Sequence, residues 1–164
     1  MNQQVRKLTI SAVVLALYVV IMGMTQGFAF GQYQIRIATA LYALGALYPF
    51  LMLPLALANL LSNALLGGLG VLDMAGGFLV GILTTGIAAW IRKQGLPDWM
   101  LAIPVIFVPG LLVPVWLSIL IHVPYLVLAV SLVIGQLFPG VVGVILVKQL
   151  AAWHEKEGSK LYGH

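Results

Sequence analysis

Asn59 and Asn63 stand one helical turn apart, and Asp73 is the only formal charge between Ile37 and Ile91. At that spacing the two amides share a helix face and offer paired donors and acceptors. Arg36 adds a planar fork of donors upstream, with Gln34 beside it. His122, Tyr125 and Gln136 bring an imidazole, a phenol and a further amide much later in the chain. These are groups for recognising a small, planar, polar ligand between apolar walls. They are not a catalytic set. There is no His-Glu-x-x-His, no Gly-x-Ser-x-Gly, and no second carboxylate near Asp73 for acid/base work. No phosphate-cradling glycine loop occurs, so any ATP hydrolysis must belong to another subunit. With no cysteine, disulfides and thiolate metal sites are excluded, and nothing implies a bound cofactor or metal.

The elements that position these residues follow from composition. At 62% hydrophobic and 7% charged, a chain of 164 residues cannot be a soluble domain. Its apolar runs approach the roughly 20 residues needed to span a bilayer core. They lay out as six transmembrane helices, at about 8–28, 35–48, 51–66, 73–91, 99–121 and 124–150. The breaks are the Gly27–Gln34 loop, Pro49 and Pro54, the Gly67-Gly68-Leu69-Gly70 cluster, and the loop from Arg92 to Asp98. The expected fold is an all-α integral membrane bundle, one polytopic domain over 1–164, with the first helix retained rather than cleaved as a signal peptide.

Six crossings put Arg6, Lys7, Arg92, Lys93, Lys148, Lys156 and Lys160 on one side, and only Arg36 on the other. The positive-inside rule assigns that basic side, with both termini, to the cytoplasm of a multi-pass cell-membrane protein. A five-helix layout would set Arg92 and Lys93 opposite Arg6 and Lys7, so six fits better. The net charge of +4 then reports topology, not nucleic-acid binding.

In this layout the intramembrane polar residues collect at the outer end. Gln26, Gln32, Gln34, Arg36 and Thr39 lie around the first loop; Asn59, Ser62 and Asn63 in the third helix; Asp73 at the start of the fourth. Trp116, Ser118 and His122 end the fifth helix, and Tyr125, Ser131 and Gln136 begin the sixth. Polar side chains in hydrocarbon face the bundle interior or a wet cavity, so the gathering predicts a pocket open to the outside. Its expected substrate contacts are Gln34, Arg36, Asn59, Asn63, Asp73, His122, Tyr125 and Gln136.

Bland alternatives stay open for each. The asparagines could tie helices together, Asp73 could cap the fourth helix, and His122 and Tyr125 could anchor at the interface. Arg36 could pair with Asp73 or meet lipid headgroups. Ser11, Ala12 and Ala16 make a flat patch on the first helix, suited to internal packing or to docking a partner helix. Gly77-x-x-x-Gly81 permits close helix approach, and Pro104, Pro109 and Pro114 read as kinks in the fifth helix.

Six short helices, Ala12-x-x-x-Ala16 and an outer pocket resemble the substrate-binding S-components of energy-coupling factor (ECF) vitamin transporters. More narrowly, Gln34-Ile-Arg36-Ile-Ala38-Thr39-Ala40-Leu41 resembles the Gln-x-Arg-x-Ser-Glu-Ala-Leu segment of the QueT family, transporters of queuosine precursors. Ala58-Asn59, then Gly70-Val-Leu-Asp73, is similar to that family's Ala-Asn and Gly-x-x-Asp pattern. This chain has Ala38-Thr39 where the family has Ser-Glu. The resemblance implies a deazaguanine-type substrate, a transmembrane coupling subunit docking on the Ala12/Ala16 face, and two ATPase subunits. The rival readings are a structural or assembly membrane protein, whose amides only lock the bundle, and a self-sufficient ion-coupled carrier. The second rival lacks support from any internal repeat.

Overall fold

Five helices long and apolar enough to cross a membrane, and one shorter apolar helix, carry the computed structural model, which describes residues 2–29, 34–66 and 68–162. Gln32, in the middle of the first loop, and Gly67 lie outside the described residues. Among those described there is helix and turn and no strand.

The first helix, α1 (Gln3–Met24), starts before the apolar run because the Asn2 side chain accepts the Gln4 N–H at 3.2 Å. A capping amide of this kind lets polar residues join a helix that the apolar pattern alone would begin later. One further turn, α2, covers Gln26–Ala29.

The second segment departs from expectation. It is a 3-10 helix, Ile37–Ala46, rather than a span over 35–48. Gln34 is held at φ 42°, and Arg36 at ψ 83°, which keeps the chain out of helical conformation until Ile37. At the other end Tyr48 precedes Pro49, and the proline ring pushes it to φ −132°, ψ 77°. At about 2.0 Å rise per residue the segment is only about 20 Å long, short of a bilayer core of roughly 30 Å. It survives at that depth because it is enclosed by the other helices: Ala38 through Ala46 are all buried, and only Ile37 is half-buried.

A short 3-10 turn, Pro49–Leu51, leads into α3 (Met52–Leu66), where Pro54 sits harmlessly in the first turn. Gly70, at φ 96°, turns the chain into α4 (Val71–Lys93), a conformation that favours glycine. Asp98–Leu101 makes one 3-10 turn before α5 (Ala102–Ile121). The last helix, α6 (Tyr125–Tyr162), continues well past the expected end at 150. Glu155 and Lys156 are good helix formers. The Tyr48 hydroxyl also meets Nε2 of His154 at 2.9 Å, which ties the extension to the turn below the 3-10 helix.

In the bundle α1 packs on α3, α3 on α4, α4 on α5 and α5 on α6, while the 3-10 helix touches α6, α4 and α1 from within. Its fit depends on small residues. A Cβ on Gly143 of α6 would stand 3.0 Å from the Ala40 carbonyl oxygen and the Ala43 Cβ. A Cβ on Gly45 would meet the Thr85 backbone and side chain of α4 at 2.5 Å. Arg6 and Lys7 line one cleft with Tyr48, and Arg92 and Lys93 line another with Leu47, so the basic residues share the end where the 3-10 helix finishes. Arg36 stands at its beginning, the opposite end.

The α3–α4 contact gives a direct test of this packing. A Cβ on Gly81 would be 2.7 Å from the Ala56 backbone, whereas one on Gly86 meets only the flexible Met52 sulfur at 3.3 Å. Gly81→Ala is expected to destabilise the protein in detergent by about 1–3 kcal/mol, the scale of overpacking. Gly86→Ala is expected to be neutral or to stabilise by up to about 1 kcal/mol, because alanine favours helix. Equal melting temperatures for the two variants would contradict the close approach at Gly81.

Candidate functional site

The outer end of the bundle is built on two adjacent glycines of α4. A side chain at Gly77 would collide with the Asn59 and Asn63 amides of α3, and one at Gly76 with the Trp116 ring of α5. Their absence lets three polar side chains from two helices close on the start of α4. Nδ2 of Asn63 donates to the Asp73 backbone carbonyl at 3.1 Å. The Asp73 carboxylate accepts from Nε1 of Trp116 at 2.9 Å and from the Leu69 backbone N–H at 3.3 Å. A carboxylate in the first turn also complements the positive end of the helix dipole. Asp73, 4% exposed, therefore stabilises its own helix start while tying α3, α4 and α5 together.

A second group of bonds links α3 to α1 and the 3-10 helix. Nδ2 of Asn59 donates to the Tyr42 hydroxyl at 2.5 Å, and that hydroxyl meets the Tyr18 hydroxyl of α1 at 3.0 Å. The two tyrosine rings lie 5.7 Å apart at a 32° tilt, both fully buried. Arg36 is buried just before the 3-10 helix. The Thr39 hydroxyl is shared between the Arg36 carbonyl and Oε1 of Gln136 on α6, 2.7 Å from each. Nε2 of Gln136 in turn donates to the Gln34 carbonyl at 3.3 Å.

Arg36, Asn59, Asn63, Asp73 and Gln136 are thus all buried at one end, with Gln34 joined through its backbone. The Asp73 carboxylate takes hydrogen bonds from Trp116 and Leu69. His122 and Tyr125 stand apart from the buried groups, on the exposed α5–α6 turn. His122 ends α5 in the left-handed conformation at φ 57°, and the Tyr125 hydroxyl donates to the Leu111 carbonyl of α5 at 3.0 Å. That is where interfacial anchors sit. The small patch on α1 is also placed: Ala12 and Ala16 are exposed and Ser11 half-buried, so the patch is not spent on packing within this chain.

Sequence reasoning missed Tyr18 and Tyr42. Their signal is faint, since a tyrosine in an apolar run reads as core or interface. Thr84 and Thr85, fully buried on α4, were also missed.

The bonds leave specific capacity unused. Oδ1 of Asn59 and Oδ1 of Asn63 are buried and have no hydrogen-bond partner among the described residues. Buried polar atoms are nearly always satisfied, so two unfilled amide acceptors on adjacent turns need a donor from elsewhere. Ordered water or a ligand presenting N–H or O–H groups is able to fill them.

Tyr42 is the hub that the geometry singles out. Tyr42→Phe removes the acceptor for Asn59 and the partner of Tyr18, a loss of about 1 kcal/mol for an interhelical bond in a membrane bundle. It is expected to lower the detergent melting temperature by about 2–4 °C. Tyr125→Phe, at an exposed hydroxyl, is expected to change it by less than about 1 °C. Equal shifts in the two variants would remove Tyr42 from the centre of the network.

A family model described as QueT transporter matches residues 8–152, nearly the whole helical bundle. No curated protein and no solved structure matches the chain. The match takes in α1 with its small patch, the Arg36 segment, both asparagines, Asp73 and Gln136, and it joins a multi-pass membrane bundle to a transport role rather than catalysis. The chain belongs to the QueT transporter family.

Proposed function

We propose that the chain is the substrate-binding subunit, or S-component, of an ECF importer, and that it captures a small planar heterocycle of the queuosine-precursor, deazaguanine type from outside the cell. The observation that carries this reading is the pair of unfilled acceptors, Asn59 Oδ1 and Asn63 Oδ1, buried beside Asp73 and within the same polar end as Arg36. A fused ring bearing N–H donors fills both acceptors, and a guanidinium complements its carbonyl edge. Thr39 stands where the family has glutamate, and its hydroxyl is already spent on Arg36 and Gln136. Recognition of ring donors therefore falls to the two asparagines in this chain.

The chain has no nucleotide-binding loop, and on this reading a transmembrane coupling subunit and two ATPases, as the family resemblance implies, power transport. The open Ala12/Ala16 face of α1 is where the coupling subunit would pack, since small residues let helix backbones approach closely.

Native mass spectrometry of the purified protein should detect a retained deazaguanine, and titration calorimetry with that compound then tests the contacts. Asn59→Leu and Asn63→Leu should each weaken binding by about one to two decades, the cost of about 1–3 kcal/mol for an unmet polar group. Unchanged affinity with a collapsed melting temperature would make the asparagines helix ties only. Ala12→Trp should abolish cellular uptake while leaving the titration unchanged, because an indole holds a partner helix away. Normal uptake would exclude this face as the docking surface.

A further inference from the structure

The opposite, basic end holds a feature that substrate capture does not use. We propose that the cleft between the start of α1 and the Tyr48–Phe50 turn binds the phosphodiester headgroup of an anionic phospholipid from the cytoplasmic leaflet. The cleft, about 290 Å³, is lined by Gln3, Arg6, Lys7, Ile10, Tyr48 and Phe50. It is chemically graded. Two cations and an amide sit at its polar side, and Ile10 and the Phe50 ring stand where the apolar run of α1 begins. A phospholipid has the same gradient, from charged phosphate through glycerol to acyl chain.

Three observations separate this cleft from the general excess of basic residues on an inner membrane face. First, among the described residues no carboxylate lines it and neither Arg6 nor Lys7 is in an ion pair. Arg92, beside the neighbouring cleft, is instead held by Asp98 at 2.6 Å. Second, Nζ of Lys7 lies 5.8 Å from the Phe50 ring centre, which places the ammonium over the cleft wall. Third, the wall is braced. Tyr48 is hydrogen-bonded to His154 of α6 at 2.9 Å and packs edge-on against Phe50 at 5.8 Å. A preformed basic pocket between helices on the cytoplasmic side is the known geometry for anionic headgroups.

The test uses the full chain, purified and exchanged into nanodiscs of phosphatidylcholine containing a minor fraction of phosphatidylglycerol with the same acyl chains. Native mass spectrometry after release counts the retained lipid. Phosphatidylglycerol should be enriched over phosphatidylcholine, and Arg6→Gln and Lys7→Gln should each reduce that enrichment about fivefold, the share of one juxtamembrane cation. Phe50→Leu should also reduce it, while the pair Arg92→Gln and Lys93→Gln should leave it unchanged. Melting temperatures of all variants establish that they fold, and these side chains, Phe50 apart, are exposed. Equal losses from the Arg6/Lys7 and Arg92/Lys93 pairs would mean a diffuse surface field and overturn the site. Inorganic phosphate, at millimolar concentration, should not displace the lipid. Displacement by phosphate alone would overturn the lipid assignment in favour of a free-anion site.

Discussion

A ten-residue 3-10 helix set at membrane depth must be hidden from lipid on every side, and the rest of the bundle follows from that constraint. Backbone polar groups in hydrocarbon have no water to fall back on, so a segment too short to span must be enclosed by protein. Enclosure demands small contacts. Gly143 of α6 lies against Ala40 and Ala43, and Gly45 lies against Thr85 of α4. With α1, α4 and α6 drawn in so closely, the two ends of the short helix become the chemically distinct places in the molecule. Its beginning follows the buried Arg36, and its end at Tyr48 meets the basic cleft.

The polar end is a partly satisfied network, and the pattern of satisfaction matters. Asp73 and Gln136 have their charged or polar atoms engaged by neighbouring helices, which fixes α3, α5 and α6 relative to α4 and the 3-10 helix. Asn59 and Asn63 instead spend their N–H₂ groups on the fold and keep their oxygens unfilled. A half-satisfied network is costly in a dry interior. Held rigid by Gly77 on one side and Tyr42 on the other, it is also preorganised for a ligand that arrives carrying donors. The fold thus draws on one end of each of these two side chains and leaves the other end open, which is what the proposed function uses.

Much of this was legible in the chain. The grouping of Arg6, Lys7, Arg92 and Lys93 at one end follows from counting crossings, and the burial of Arg36, Asn59, Asn63, Asp73 and Gln136 from their depth along apolar runs. The glycine spacing at Gly77 and Gly81 foretold a close helix approach, and its partner is α3. Other features lay outside what local pattern can report. The second segment reads as an ordinary helix because alanine and leucine favour one; its 3-10 form comes from Gln34 and Pro49 at its ends and from the crowding around it. The Tyr18–Tyr42 contact joins residues from two helices, and no spacing announces it. His122 and Tyr125 stand exposed at the α5–α6 turn, where His122 ends α5 in the left-handed conformation, and sequence depth alone does not report that exposure. The long extension of α6 depends on His154 reaching Tyr48, a partner far away in sequence.

The central claim is that a ligand sits beside Asn59, Asn63 and Asp73, and Trp116 is placed to report it. Its indole donates to the Asp73 carboxylate, whereas Trp153 stands at the opposite end beside His154. The decisive measurement is the fluorescence of a protein keeping Trp116 alone, with Trp90, Trp99 and Trp153 replaced by Phe, titrated with a 7-deazaguanine. A saturable change in Trp116 emission, absent from a protein keeping Trp153 alone, is the predicted result. A saturable change confined to Trp153 would place the ligand at the other end and contradict the account.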